Sequence, residues 1–206
     1  MSMKCEYIVG VDEAGRGPLA GPVSVGVAVV PAGFAWDQIP GVNDSKKLTE
    51  KKREEIFEIA KKLQKEGKLS YSVSLVSAKK IDIKGIVPCI TLGMYTSLRK
   101  VIVDGRYESY DVKLDGGLKA PEYFIHQETI TKGDAKEKII GLASIMAKVT
   151  RDRYMVKIAS KEEFLAYTFA QHKGYGTKKH REAILKKGLS KEHRQSFCRN
   201  IPYTKT

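Results

Sequence analysis

The sequence predicts an α/β domain: a mixed β-sheet flanked by helices, with a small helical C-terminal region. Three observations carry that reading. The chain has 206 residues, 42% of them hydrophobic and 30% charged, which is the length of one domain with globular composition. Short β-branched runs come first and then alternate with longer helical periods, the order expected when helices cover a sheet. No internal repeat or low-complexity tract interrupts them. At this length roughly 70% of the unfolded surface can be buried, so the fold needs neither disulfides nor a structural metal.

Taken in order, residues 6–11 (EYIVGV) form an apolar, β-branched run that reads as a buried strand. A link marked by Pro18, Gly21 and Pro22 leads to a second strand over 22–30. Residues 48–66 are the clearest amphipathic helix, with Ile56, Ile59, Ala60 and Leu63 at helical spacing and Gly67 ending it. Residues 70–76 alternate as a third strand. Pro88 suits a first helical turn, so a helix runs from there through Met94 and Leu98. Residues 111–114 and 123–127 read as two further strands. A long helix spans 134–159, apolar on almost every side from Ile139 to Val149. Its Gly141, Ala143, Ser144 and Ala147 are small enough for close approach to a sheet. Residues 177–187 and 190–197 read as two capped terminal helices. We expect a main domain over 1–172 and a basic helical region over 173–206 packed on it.

Charge indicates the partner. There are 37 basic and 24 acidic residues, a net of +13. Ten Lys or Arg against Glu182 and Glu192 put +8 of that on residues 173–206. Such density favours a phosphate-contacting segment and a polyanionic ligand, nucleic acid first. The longest apolar stretch, residues 23–30, is far too short to cross a membrane. The N-terminus shows no signal-peptide pattern, and Cys5, Cys89 and Cys198 are unpaired in spacing. The expectation is a cytoplasmic monomer in a reducing compartment.

The chemistry candidates are acids at element ends. Asp12 and Glu13 follow the first strand and enter Ala14-Gly15-Arg16-Gly17-Pro18. Strand neighbours point to opposite faces, so both carboxylates converge only if the strand yields to a turn there. Asp115 ends a strand in Leu114-Asp115-Gly116, although Val103-Asp104-Gly105 has the same form and pattern alone does not separate the two. Asp134 precedes the long helix and reads equally well as its N-cap. Taken singly, each acid has an ordinary explanation as a turn or cap. Several of them in a basic, polyanion-binding protein make electrostatic sense with hard cations between, and Mg²⁺ and Mn²⁺ take such oxygen ligands. His126, His172, His180 and His193 are scattered, without zinc spacing. No phosphate-loop or nucleophile-elbow pattern is present. These features reach a metal-dependent phosphodiester enzyme.

The blocks that carry these acids resemble ribonuclease HII, the type 2 ribonuclease H family. They are VGVDEAGRGPL at 9–19, NDSKKL at 43–48, LDG at 114–116, KGD at 132–134, ASIMAKVTRD at 143–152, FAQHKGYGT at 169–177 and HRQSF at 193–197, all in family order. The resemblance implies a ribonuclease H-like five-stranded mixed sheet flanked by helices. It also implies an endonuclease acting on the RNA strand of RNA–DNA hybrids and on single ribonucleotides in duplex DNA. It selects Asp115 over Asp104 and maps the catalytic, metal-binding carboxylates onto Asp12, Glu13, Asp115 and Asp134. Two Mg²⁺ or Mn²⁺ ions about 4 Å apart would then bracket the scissile phosphate. The family's turn that reads the 2′-hydroxyl maps onto Gly15, Arg16 and Gly17, and its sugar-stacking tyrosine onto Tyr175. Lys46 and Lys47 are candidate phosphate contacts. Arg16 stands where the related ribonuclease HIII has threonine, favouring the HII type. Two competing readings are another two-metal nuclease, which would not need Tyr175, and a non-catalytic hybrid-binding module, which would not need Asp12.

Overall fold

The computed structural model describes residues 5–42 and 48–203. Strands β1 (Tyr7–Ala14), β2 (Val23–Pro31), β3 (Ser70–Val76), β4 (Tyr110–Asp115) and β5 (Gln127–Ile130) form one sheet in the order β3-β2-β1-β4-β5. The first three pair antiparallel, whereas β1–β4 and β4–β5 are parallel. The sheet is mixed, as the element order predicts.

Strand β2 is interior to the sheet and buried on both faces, which explains its unbroken apolar run. Val23, Val25, Val27 and Val29 meet helix α3 (Ile86–Val101) through Cys89, Ile90, Met94 and Leu98. Ala28 and Val30 face helices α1 (Glu50–Lys65) and α5 (Lys138–Ala159). The close helix–sheet approach expected of α5 is present, with the space made on both sides. A Cβ on Gly10 would lie 2.2 Å from the Ile139 carbonyl oxygen, and one on Gly26 would lie 2.3 Å from that of Ala143. Ser24 Oγ also donates to the Ala147 carbonyl at 2.9 Å. A third core gathers Leu19, Ala20, Met155, Phe164, Phe169, Ile184, Cys198 and Ile201. It joins the segment after β1 to the end of α5 and to the C-terminal residues, which include helices α6 (Phe169–His172) and α7 (Lys178–Lys187). Among the described residues no helix is long and apolar enough to cross a membrane.

Four elements differ from expectation. Strand β1 runs on through Asp12 and Glu13 to Ala14, because its antiparallel pairing with β2 continues to Ala14↔Ser24. The strand expected from residue 123 begins only at Gln127. Upstream, Phe124 N–H donates to the Pro121 carbonyl in a turn, and Tyr107, Tyr123 and Phe124 pack as an aromatic cluster. The long helix is two, because α4 (Gly133–Lys136) is separated from α5 by an extended Glu137. Asp134 is therefore inside α4, not the cap of α5, and the residue before α4, Lys132, is left-handed at φ 56°. A further short helix, α2 (Ala78–Lys84), lies between β3 and α3 where no element was expected. Residues 190–197 are not helical beyond a single turn at Gln195–Phe197. Instead His193 bridges to Ala20, and Arg194 N–H donates to the Leu19 carbonyl at 2.8 Å.

Candidate active site

The site is built where β1 outruns β4. Their parallel pairing ends at Val11↔Leu114. Val9, Val11, Val112 and Leu114 belong to the core under α3, so by strand alternation the next residues, Asp12 and Asp115, turn toward α5. There Ser144 of α5 hydrogen-bonds the Asp12 carboxylate, and Glu13 N–H donates to Asp12 Oδ1 at 2.7 Å. Asp115 Oδ1 accepts from Gly133 N–H at 2.6 Å, which ties the start of α4 to the end of β4. Glu13 accepts from Arg16 Nη1 at 3.2 Å. Asp12, Glu13, Gly15, Arg16, Gly17, Asp115 and Tyr175 all line one cavity of about 450 Å³, together with Arg53, Ser144 and Lys148. Both acids of the Asp-Glu pair reach it although the strand does not end between them. Asp134 is buried beside Gly133 and outside that lining. Lys46 and Lys47 lie outside the described residues.

Electrostatics mark the same spot. Burial, reinforced by the charges of Glu13 and Asp115, pushes the Asp12 carboxyl up to about 8 against the Ser144 hydrogen bond. Glu13 is raised too, mainly by burial, with Arg16 opposing. Carboxylates so placed favour protons or cations, and every acidic donor here is a hard oxygen suited to Mg²⁺ or Mn²⁺. The donor chemistry thus fits a divalent ion. Among the described residues, though, no three carboxylate, histidine or cysteine side chains are already gathered to hold one. A larger groove, about 590 Å³, lies outside β3 between Val76, Ile83 and Lys100 and carries no acid. Asp104 binds Arg106 and Tyr110, away from the cavity.

Two lining residues of α5, Ser144 and Lys148, lie in the family-like block 143–152 but carry no role in the sequence reading. With Arg151 and Asp152 behind them they are spaced three and four apart, so one face of that helix is polar at helical period. Lys148 bonds Asp152 at 2.9 Å, and Lys148 Nζ and Arg151 Cζ each stand 5.7 Å from the Tyr175 ring centroid. Tyr175 as a whole is 43% exposed. Arg53 comes from the surface of α1, where one lysine- or arginine-bearing position looks like the next.

Residues 9–200 match the family model of ribonuclease HII. The ribonuclease HII of Caldicellulosiruptor bescii is 45% identical over 195 residues, covering 95% of this chain and 88% of that protein. Ribonuclease H2 from Pyrococcus horikoshii OT3 has the same fold at a TM-score of 0.71 and 28% identity, over 95% of this chain and 96% of that one. A Bst-RNase HIII solved with Mn²⁺ shares the fold at a TM-score of 0.65 and 17% identity, over 95% of this chain and 65% of that one. With a ribonuclease H-like sheet, an acid pair at the overhang of β1 and a family match across nearly its whole length, the chain belongs to the ribonuclease HII family of ribonuclease H hydrolases.

Proposed function

We propose that the protein is an endonuclease that hydrolyses the RNA strand of RNA–DNA hybrids and cuts 5′ to single ribonucleotides embedded in duplex DNA. Its role would be ribonucleotide removal from DNA, with 5′-phosphate and 3′-hydroxyl products. The observation that carries the reading is the overhang: Asp12 and Asp115 stand one residue beyond the last β1–β4 pair, sharing a cavity with Glu13 and Tyr175.

Asp12, Glu13, Asp115 and Asp134 are the residues that would hold two divalent ions, Mg²⁺ or Mn²⁺. Such ions, when bound, activate water for in-line attack on the scissile phosphate and stabilise the leaving 3′-oxygen. The chain's own groups do the aiming. Ser144 on the cavity wall and the Gly133 N–H hold the Asp12 and Asp115 carboxylates, and Arg16 holds Glu13. Lys148 and Arg53 supply cationic lining for phosphate oxygens. Ribose selection falls to the Gly15-Arg16-Gly17 turn, where the main chain can approach a 2′-hydroxyl directly. Gly15 has φ +84°, and a Cβ there would lie 2.0 Å from Arg151 Nε, so neither conformation nor space admits a side chain. Tyr175, itself half-exposed, presents its ring for stacking on the adjoining sugar. Lys46 and Lys47 remain phosphate-contact candidates from sequence alone.

The test is cleavage of a labelled DNA duplex containing one ribonucleotide, with Mg²⁺, Mn²⁺ or chelator, and with all-DNA and all-RNA duplexes as controls. Metal-dependent cutting 5′ to the ribonucleotide is expected, with a loss of at least about a hundredfold in Asp12→Asn. Tight hybrid binding without cutting under either metal would overturn the catalytic assignment in favour of a binding module.

A further inference from the structure

We propose that the dipeptide His193-Arg194 is the positioning element that sets the ribose-reading turn and Tyr175 at their working separation, each residue gripping one of them. The inference rests on the roles proposed above for Gly15–Gly17 and Tyr175.

Arg194 grips the turn. It is fully buried, and all three of its guanidinium nitrogens bond main-chain carbonyls: Nη2 to Gly15 at 2.7 Å, Nη1 to Arg16 at 2.9 Å and Nε to Gly21 at 3.0 Å. Its own N–H adds the bond to Leu19. The planar guanidinium spreads its donors in a fixed fork that reaches three separate carbonyls, a geometry the compact, rotating ammonium of a lysine does not reproduce. Burying a cation on carbonyls is costly. Burial, with the Arg151 charge nearby, in fact lowers Arg194 to about 9.

His193 grips the tyrosine through His180, and the polarity of the chain between them is forced. Ser190 N–H donates to His193 Nδ1 at 2.9 Å. A main-chain N–H can only donate, so that nitrogen carries a lone pair and the His193 proton sits on Nε2. It points to His180 Nε2 at 3.0 Å, which must therefore accept. The His180 proton is left on Nδ1, 2.9 Å from the Tyr175 carbonyl oxygen. A directed relay of neutral imidazoles thus runs from residue 190 to residue 175.

The two gripped segments are also laced to each other. Leu19 N–H donates to the Gly174 carbonyl at 2.9 Å, and a Cβ on Gly174 would lie 2.3 Å from the Ala20 oxygen. Arg151 bonds the carbonyls of Ala20, Pro22 and Lys173 from α5. A turn and a tyrosine from opposite ends of the chain become one rigid reader, and adjacent residues of the C-terminal segment close it. His193, His180 and Arg194 bond main-chain groups and one another rather than Asp12, Glu13 or Asp115, so they can be substituted without removing a contact from those acids.

The experiment compares a duplex bearing one ribonucleotide with a continuous RNA–DNA hybrid, reading kcat and KM for each. His193→Phe removes the donor to His180; His193→Gln keeps a donor at the Nε2 end; Arg194→Lys keeps charge and loses the fork. We expect His193→Phe to lower the ratio of single-ribonucleotide to hybrid cleavage by about tenfold or more, and His193→Gln to restore most of it. In a Tyr175→Ala background His193→Phe should change the ratio less than about twofold, since its effect runs through Tyr175. Arg194→Lys should raise KM on both substrates while the melting-temperature rise produced by Mn²⁺ alone stays as in the unsubstituted protein. An unchanged ratio in His193→Phe, an equal loss with and without Tyr175, or a Gln variant no better than Phe would overturn the inference while the proposed activity stands. Failure of the unsubstituted protein to cut either substrate would overturn both.

Discussion

Asp12 is pressed from several sides: buried, near two other acids, and placed just past the end of the β1–β4 pairing. Its carboxyl lies near 8 instead of its usual 3.8, and the sign of the consequence follows. Between those two values the folded protein keeps a proton that the unfolded chain has released, so in the absence of metal Asp12 makes stability fall as pH rises through that window. Asp12→Asn should then stabilise the metal-free protein at pH 8 by about 2 kcal/mol, or roughly 4–8 °C in Tm. The gain should shrink toward pH 4. Melting curves with chelator test this, and a variant no more stable than its parent at pH 8 would contradict it. Mn²⁺ should raise the Tm of the parent and leave that of Asp12→Asn nearly unmoved. At this scale the sequence is most legible where chemistry is concentrated: Asp12, Glu13, Arg16 and Asp115 stand in a short motif or at a strand end and share the cavity. Ser144 and Arg194 were not legible as site residues, because a serine in an apolar helix reads as packing and an arginine in a basic tail reads as surface.

Among the elements, β2, β3, β4 and α1 match expectation closely because each has its own period or caps, as with Thr49, whose side chain accepts from Lys52 N–H. The failures were tertiary. Residues 193–194 have helical composition yet serve as a pairing segment for residues 19–20, and the extended Glu137 that parts α4 from α5 is announced by no local pattern. The histidine relay belongs to this scale too, since His172, His180 and His193 come together only through it. His172 stacks on His180 at 4.3 Å, and Lys173, Lys179 and Arg181 add positive charge around them. Burial, and then the charges of His172 and Arg181, lower His180 to about 4; burial, and then those of His180 and His172, lower His193 to about 3. The unfolded chain binds these protons near 6.5 while the folded cluster refuses them, so their stability contribution is full above that value and is lost as pH falls toward 4. Asp12 works in the opposite direction over the same range. The clean measurement is therefore made in Asp12→Asn protein, where Tm should fall steadily from pH 7 to pH 5. Adding His193→Gln should flatten that fall, and equal slopes with and without His193 would show that the relay does not govern it.

For the molecule as a whole, the charge reading and the structure divide the C-terminal segment into two parts. The sequence places +8 on residues 173–206 and suggests a phosphate-contacting segment. Arg194 is no part of such a surface, being spent on carbonyls inside the protein, and Ile184, Cys198 and Ile201 lock the segment into a core with Leu19 and Ala20. Deleting it would open that core, so lost binding by a truncated chain would say little about phosphate. The exposed lysines of α7 give a cleaner question, because Lys178, Lys186 and Lys187 lie on the surface and can be neutralised without disturbing the clamp. Each lysine that meets a phosphate contributes about 0.7–0.9 to the slope of log K against log salt. If α7 lies in the footprint, replacing all three with glutamine should flatten the slope for hybrid binding by about 2 and weaken binding most at low salt. Titrations at several salt concentrations, run with chelator so that no cutting occurs, read both quantities. A parent-like slope would confine the footprint to the cavity rim, leaving Lys148, Arg53 and the 46–47 pair as the cations to neutralise next.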